Sequence, residues 1–442
     1  MKRSLTRFGW CLALAALSAA PVLADERVPR ALMPDEFEEA AVEETEDAEE
    51  LFDDSAITPV AYDAAQPADG MDGMGMGMAA AAPAPRAPTT RRVGPTGSRQ
   101  ANIRLASVPN MFGDIGMASA QIVSPGFDDG QRSSRGAFDI PSAGGSRRVK
   151  IGENNIALPT DRVYVMYNHF HNALQVDEQP MVPFGPRTTR QTHIDRYTAG
   201  FEKTFLDGLW SVEIRQPFSS SFDFTGTAFA IDGGSVGNMS VVLKNLLYVD
   251  DSTAVGAGVA LDAPTGSDLD VRVGQSLLNF QNDAFHILPW VGFAHNRDVF
   301  FTTGFAQLDL AANGNEVLLR GLNDRSLGYF NEQNLLYLDF AVGAFLYRDP
   351  AAQRLTSIAL QGELHYTSTI QDTDVLDATV QGSTFELANQ YNRQDILNGT
   401  VALQFQIGLL STFRVAVAAP LSQSADERFF DAELQVQYNR RF

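Results

Sequence analysis

The chain ends in DAELQVQYNRRF, residues 431–442, and this stretch decides the fold class. Every second residue in it is apolar, and an aromatic residue closes it: Ala432, Leu434, Val436, Tyr438, then Phe442 after Arg440. The residues between them are polar: Glu433, Gln435, Gln437 and Asn439. A period of two predicts a β-strand with one apolar and one polar face. Soluble sandwiches and membrane barrels both contain such strands, so the stretch alone leaves the buried face open.

The connections between strands separate these two architectures. Strand-like segments occupy 162–170, 194–205, 208–217, 237–249, 252–263, 284–295, 298–310, 333–348, 353–369, 395–408, 411–421 and 428–442. Short connections such as 206–208 alternate with long ones such as 171–193 and 370–394. Outer-membrane barrels have tight turns at one end and long loops at the other, whereas sandwiches have crossing connections. The sequence therefore predicts an all-β fold, a closed antiparallel transmembrane β-barrel of about 12 strands over 162–442.

The pairing of neighbouring segments supports the same architecture. A tight turn at 206/207 would place Phe201 opposite Val212, and a turn at Pro350–Ala351 would place Asp339 opposite Glu363. In both hairpins apolar residues then face apolar residues, and polar residues face polar ones.

The first 24 residues predict export. Basic residues precede a short apolar run, Trp10–Ala20, and small residues lie before Asp25, which is typical of a secretory signal peptide over 1–24. The single cysteine of the chain, Cys11, lies inside this segment. The mature chain is therefore expected to have no disulfide and no cysteine-based metal site.

Residues 25–100 predict a disordered arm and linker. Asp25–Asp54 is strongly acidic and cannot bury a core, and the following stretch is rich in Ala, Pro and Gly. Its methionines, Met71, Met74, Met76 and Met78, could bind a soft metal ion, but a flexible linker is favoured. The acidic net charge of -21 makes nucleic acid an unexpected partner.

Residues 101–161 have no regular pattern. Three interpretations of this segment stay possible: a plug, a cap or an extra strand.

The terminal ELQVQYNRRF resembles the closing strand of bacterial outer-membrane β-barrel proteins, and the resemblance covers residues 162–442. Such barrels end in an aromatic residue preceded by alternating apolar residues, and Arg440 departs from the pattern. The resemblance implies an assembly signal read by the barrel-assembly machinery, formed by Leu434, Val436, Tyr438 and Phe442. The hairpin RYTAGFEKTFLDGLWSVEIRQPF, 196–218, also resembles transporter barrels grouped as phenol-degradation MetA-pathway-like proteins.

Ten charged or ionisable residues are predicted to line the lumen. They are Arg196, Glu202, Glu213, Arg215, Asp339, Glu363, His365, Arg414, Glu433 and Arg441. Because acids and bases are mixed, a strongly ion-selective pore is not expected. Asp339, Glu363 and His365 could bind a cation or exchange protons, but a wall of paired charges that stabilises a narrow barrel is favoured.

A second group of histidines lies at a strand end. His169 and His171 are two residues apart, and His193 in the next segment could supply a third ligand for zinc or copper. The favoured interpretation is polar residues at the outer interface, and the sequence predicts no metal and no cofactor.

The predicted function is a passive, non-catalytic outer-membrane channel or transporter for a small solute of unknown identity. Its expected partners are outer-membrane lipid, the barrel-assembly machinery and that solute. The alternatives are a plugged structural barrel that displays loops or tethers the envelope and, less favoured, a lipid-modifying outer-membrane enzyme.

Overall fold

The computed structural model describes residues 107–114, 119–123, 138–141, 143–145, 148–178, 188–219, 224–225, 229–233, 236–273, 276–371, 374–380, 383–389, 395–422 and 429–442. The expectations for the signal peptide, 1–24, and for the arm and linker, 25–100, lie outside these residues. Within the described ranges all regular elements are β-strands. No helix among them is long and apolar enough to cross a membrane.

The strands, in chain order, are β1 Ser119–Val123, β2 Phe138–Pro141, β3 Arg162–Glu178, β4 Thr188–Phe205, β5 Trp210–Ser219, β6 Phe224–Thr225, β7 Phe229–Gly233, β8 Met239–Val249, β9 Thr253–Ala263, β10 Leu269–Val273, β11 Ser276–Phe280, β12 His286–Arg297, β13 Phe300–Ala311, β14 Asn315–Arg320, β15 Arg325–Phe330, β16 Leu335–Arg348, β17 Leu355–Thr369, β18 Val375–Val380, β19 Ser383–Asn389, β20 Asp395–Ile407, β21 Ser411–Pro420 and β22 Ala432–Arg441.

Twelve of these strands close into one antiparallel barrel. The ring runs β3–β4–β5–β8–β9–β12–β13–β16–β17–β20–β21–β22, and β22 pairs with β3 to close it. Each of the twelve segments expected from the sequence contributes one strand, so the predicted architecture is confirmed. Closure matters physically because it leaves the barrel sheet without an unpaired edge.

The long connections carry hairpins of their own. A second sheet has the order β15-β14-β11-β10-β7-β6, and β18 and β19 form a further hairpin. The hairpin of β1 and β2 comes from the segment that precedes the barrel, and it is inserted between β19 and β3. We call this end of the barrel the long-loop end and the opposite end the short-turn end.

The hairpin of β4 and β5 differs from the predicted register. Phe201 lies opposite Ile214 rather than Val212. The turn takes four residues, 206–209, and three of them have positive φ: Leu206, Asp207 and Gly208. The centre of the hairpin therefore lies farther along the chain than the predicted 206/207.

The predicted pairing of Asp339 with Glu363 is also wrong. Asp339 lies opposite His365, and Glu363 lies opposite Ala341. The connection at 349–354 shifts the register by three residues next to the turn, and a β-bulge between Phe345 and Tyr347 reduces the shift to two. Beyond the bulge the offset is two residues, as in the β4–β5 hairpin, so the side chains there keep their predicted faces.

Other short turns are held by side chains. In the turn between β8 and β9, the Asp250 carboxylate accepts the backbone N–H groups of Ser252 and Thr253 and the hydroxyl of Tyr248. These hydrogen bonds favour the ionised form and lower the pKa of Asp250 to about 2.

Alternation separates the two faces of the barrel wall. On β22, Glu433 and Gln435 point inward and are buried, whereas Leu434 and Tyr438 point outward and are exposed. The same division holds on β16, where Leu338, Phe340 and Val342 are exposed. The outer face of the wall is apolar, and the inner face carries the buried charged and polar side chains together with apolar ones such as Trp290 and Phe305.

Two runs of the chain before β3 lie inside the barrel, 107–114 and 148–161, and we call them together the inner segment. Their apolar side chains pack in small clusters against the wall, for example Phe112 against Ala402 and Ala416. Met111 and Ile151 pack in another cluster that includes wall residues. The interior of the barrel is thus occupied by protein.

Candidate functional site

The ten side chains predicted to line the lumen occupy inward positions of their strands. Nine of them are buried: Arg196, Glu202, Glu213, Arg215, Asp339, Glu363, His365, Arg414 and Glu433. Arg441 is half-buried at the short-turn end. Six of these side chains belong to two buried clusters, and a third cluster joins other residues of the wall, its loops and the inner segment.

The first cluster surrounds Glu213 on β5. Its carboxylate receives Arg215 at 2.9 Å, Arg162 at 3.2 Å and Lys244 at 3.3 Å. Glu202 on β4 receives Arg162 at 2.8 Å and Lys244 at 2.9 Å. All five side chains are buried, and the contacts place opposite charges next to one another, as buried ions require. The cluster ties β3, β4, β5 and β8 together.

The second cluster brings Asp339 and Glu363 to opposite sides of His365. The Nδ1 atom of His365 lies 2.9 Å from Asp339, and its Nε2 atom lies 3.0 Å from Glu363. Asp114 of the inner segment joins them, with Lys150 Nζ at 2.5 Å. Ligand atoms of Asp114, Asp339 and His365 lie within 4.8 Å of one another, but the Lys150 ammonium, 4.0 Å from Asp339, already supplies positive charge there. The cluster is therefore a set of ion pairs that links the wall to the inner segment.

The third cluster lies at the start of β12 and the end of β13. Arg148 of the inner segment reaches Asp309 at 3.1 Å and Glu332 at 3.2 Å. His286 contacts the same Asp309 carboxylate at 2.7 Å through Nδ1. Here too a cation of the inner segment is held by acids of the wall or of its loops.

Backbone groups of the inner segment are bonded to the wall as well. The N–H groups of Phe112 and Gly113 donate to the two oxygens of Glu363 at 2.7 and 2.9 Å. The amide of Gln435 on β22 donates to the carbonyl of Gly113 at 2.7 Å. The N–H of Ile151 donates to the side chain of Gln307 on β13 at 2.6 Å. The wall thus provides hydrogen-bond partners that an irregular buried backbone needs.

The two runs of the inner segment are also bonded to each other. Met111 and Asn155 exchange backbone hydrogen bonds of 2.7 and 3.2 Å. Gly113 has φ of +76°, and a Cβ atom built on it would lie 2.7 Å from the Cα of Glu153. Only glycine allows both the backbone conformation and this close approach.

The path of the inner segment follows from contacts at both ends of the barrel. At the short-turn end, Ser107 accepts a hydrogen bond from Arg348, and the N–H of Thr160 donates to Glu202. At the long-loop end, Gly144 exchanges backbone hydrogen bonds with Ser267 and Asn238. Residues 107–114 therefore run through the lumen from the short-turn end towards the long-loop end, and residues 148–161 run back to the short-turn end.

Little space remains at the short-turn mouth. A cavity of about 10 Å³ lies there among Ser107, Arg162, Arg414 and Arg441. That volume holds about one water molecule. A larger depression of about 430 Å³ is lined by outward-facing residues, among them Phe293, Leu338 and Leu397. It belongs to the outer surface rather than to the lumen.

Eight members of these clusters were not predicted: Asp114, Arg148, Lys150, Arg162, Lys244, His286, Asp309 and Glu332. Lys244 shares the inward face of β8 with the buried Val242, so the alternation in that strand could have identified it. Arg148 and Lys150 stand in SRRVKIGEN, which has no strand period to orient its side chains. Their role depends on the path of the inner segment.

The histidines of the strand end lie outside these clusters. His169, His171 and His193 are grouped on the outer face, near the long-loop end. The methionines at 71–78 lie outside the described residues.

Neither a protein-family model nor a curated relative matches the chain. Among solved structures, an outer membrane channel from Pseudomonas putida F1 shares 13% identity at a TM-score of 0.40, covering 67% of this chain and 100% of that chain. The translocator domain of autotransporter NalP from Neisseria meningitidis shares 9% identity at a TM-score of 0.40, covering 64% and 88% of the two chains. The NanC porin shares 10% identity at a TM-score of 0.34, covering 63% and 98%. The closed antiparallel barrel itself is established by the strand pairing of this chain.

Proposed function

We propose that this chain is a passive, non-catalytic outer-membrane channel for small solutes, whose lumen is closed in this conformation by its own inner segment. The observation that carries the proposal is the closed barrel whose outer face is apolar and whose charged side chains are concentrated on the inner face. In hydrocarbon every backbone polar group needs a partner, so strands span a bilayer only as a closed sheet.

The distribution of side chains supports a membrane setting. Exposed apolar residues such as Val165, Val291, Phe340 and Leu403 cover different strands of the outer face. An apolar outer surface of this extent is unfavourable in water and suits lipid. At the short-turn rim, aromatic rings stack in pairs, Phe201 with Phe442 at 5.9 Å among them, as in the interfacial girdles of such barrels.

The orientation and partners follow within the proposal. The short-turn end faces the periplasm, and the long-loop end faces outward, as in outer-membrane barrels. The signal peptide at 1–24 delivers the chain, and the closing strand with Leu434, Val436, Tyr438 and Phe442 is the segment that the assembly machinery recognises.

Passage of a solute requires the inner segment to move, because it occupies the lumen. Many of its contacts with the wall are hydrogen bonds and ion pairs, such as those of Glu363 with the backbone of Phe112 and Gly113. Water can replace polar contacts when a segment leaves, so an emptied wall would remain solvated. The same contacts favour a second candidate function, a permanently plugged structural barrel.

Conductance in planar bilayers separates the two candidates. The full chain should be mostly closed, whereas Gly113→Val should conduct, because the three atoms nearest to the new Cβ belong to Glu153 and the clash dislodges the inner segment. Gly362→Val is the matched control: its Cβ meets nothing within 4 Å, on the outward face of β17, so it should behave as the unchanged chain. If folded Gly113→Val neither conducts nor takes up solute in liposome swelling, the channel proposal is wrong and the structural barrel remains.

A further inference from the structure

The outer face of β3 changes character along the strand. The outward residues Val163, Val165 and Tyr167 are followed by His169 and His171 in the same alternation. On the neighbouring strand β4, His193, Asp195 and Tyr197 also point outward, and His193 is the one nearest to the long-loop end. Three of the six histidines of the chain therefore meet where the apolar part of the outer face ends.

The local backbone brings the three imidazoles together. The pairing of β3 with β4 is interrupted between Phe170 and Leu174, and Asn172 has φ of +55°. Such a bulge redirects side chains that a regular ladder would hold apart. The rings of His171 and His193 lie 4.5 Å apart, and those of His169 and His193 lie 5.7 Å apart. His193 thus contacts both of the other rings.

The nitrogen atoms are spaced for a shared ion. One nitrogen from each histidine lies within 4.8 Å of the other two. Zinc binds imidazole nitrogen at about 2.0–2.1 Å in tetrahedral geometry, which sets nitrogen atoms about 3.3 Å apart. His171 and His193 are exposed, so a small rotation of each ring closes the difference. The backbone N–H of Asn172 donates a long hydrogen bond of 3.3 Å to His193 Nδ1, which offers little resistance to that rotation.

Asp195 fixes the tautomer of one of the three histidines, His169. Its Oδ1 atom lies 2.7 Å from His169 Nδ1 and accepts the hydroxyl of Tyr167 at 2.8 Å. A carboxylate in this position keeps the proton on Nδ1 and leaves the Nε2 lone pair available to a metal. This pairing of carboxylate, histidine and metal is the usual surrounding of a zinc-bound imidazole.

We propose that His169, His171 and His193 bind one divalent transition-metal ion such as zinc, with Asp195 as a positioning residue for His169. Three protein ligands leave the fourth position to water, so the ion is exchangeable. It joins β3 to β4 where their ladder is interrupted, next to the hydrogen bond of 2.7 Å that Asn172 donates to Asp431. The site does not depend on whether the lumen conducts.

The test uses the full chain without an affinity tag, folded in a zwitterionic detergent and freed of metal with a chelator. Zn²⁺ is titrated by calorimetry, and Co²⁺ is titrated by its visible absorption, which reports tetrahedral coordination. We use these ions because Met71–Met78 would compete only for softer metals. We expect one equivalent to bind, and the affinity to fall at least 100-fold in both His171→Gln and His193→Gln.

Two further variants make the result specific. Asp195→Asn should weaken Zn²⁺ binding by about 10- to 100-fold and alter the Co²⁺ spectrum, while one equivalent still binds. His295→Gln is the matched control, because His295 is half-buried on the outward face of β12, where its Nδ1 atom lies 2.9 Å from the Thr253 hydroxyl. Circular dichroism and resistance to detergent unfolding verify that each variant is folded. Absence of Zn²⁺ binding in the folded chain, or binding unchanged in both histidine variants, would overturn the proposal.

Discussion

The guanidinium carbon of Arg414 lies 3.8 Å from the centre of the Phe112 ring, so a cation of the barrel wall rests on an aromatic face of the inner segment. Arg414 also donates to Gln437 on β22 at 2.5 Å and to Asn154 at 2.9 Å. One side chain of β21 therefore holds both runs of the inner segment.

Replacing Phe112 with leucine should loosen the inner segment without opening a large cavity. A buried cation–π contact contributes about 0.5–2 kcal/mol, which corresponds to about 2- to 30-fold in an opening equilibrium. Hydrogen exchange of a peptide covering 110–114 should accelerate by that factor. Phe405→Leu changes an aromatic residue of β20 that packs on Phe413, away from the inner segment, and should leave the exchange unchanged. Equal rates in Phe112→Leu and the unchanged chain would contradict the role of this contact.

The barrel could be predicted from the sequence because its signals are local. Alternation identifies each strand and its faces, and connection lengths order the strands around the ring. The exact registers could not be obtained in this way. The turn at 206–209 and the connection at 349–354 with its neighbouring bulge depend on backbone conformations that several sequences adopt, so Phe201 and Asp339 were each placed two residues from their observed partners.

Glu363→Gln should destabilise the closed state. Its two carboxylate oxygens accept the N–H groups of Phe112 and Gly113, and an amide offers only one acceptor oxygen. A buried N–H group left without an acceptor costs about 1–3 kcal/mol. Urea unfolding should show a loss of that size. Glu316→Gln is the control, because Glu316 is half-buried in β14, and it should lower the free energy of unfolding much less. A similar loss in both variants would indicate a general effect of charge removal.

The lumen was predicted only in part, and the reason is again the inner segment. The alternation in β4, β5 and β17 identifies the inward positions at which Glu202, Arg215 and His365 are buried. Their partners Lys150 and Asp114 come from 107–161, a region without periodicity. A sequence pattern reports which way a strand residue points, but it does not report what a long irregular segment will pack against.

Glu213→Gln should be among the most destabilising single changes in the wall. The substitution leaves Arg162, Arg215 and Lys244 buried with one carboxylate fewer to balance them. Removing one partner of a buried ion pair costs about 3–5 kcal/mol. Chemical unfolding of the folded barrel measures this cost. Lys203→Gln breaks the exposed pair with Asp161, and such pairs contribute about 0–1 kcal/mol. A loss in Glu213→Gln no larger than that of Lys203→Gln would show that the cluster is hydrated rather than dry.

Val436→Arg tests the orientation of the whole wall. Val436 is the central outward residue of β22, between Leu434 and Tyr438, and arginine near the midplane of a bilayer costs about 2–4 kcal/mol. Near the interface the cost falls to about 0–1 kcal/mol. Ile407→Arg, on the exposed outer face at the short-turn end of β20, is therefore the matched control. Reversible unfolding from phospholipid vesicles should show the difference between the two sites. The neighbouring Gln435 cannot serve as the comparison, because it is fully buried against Gly113 and an arginine there would displace the inner segment. Equal costs at Val436 and Ile407 would mean that the outer face does not contact a bilayer with Val436 at its centre.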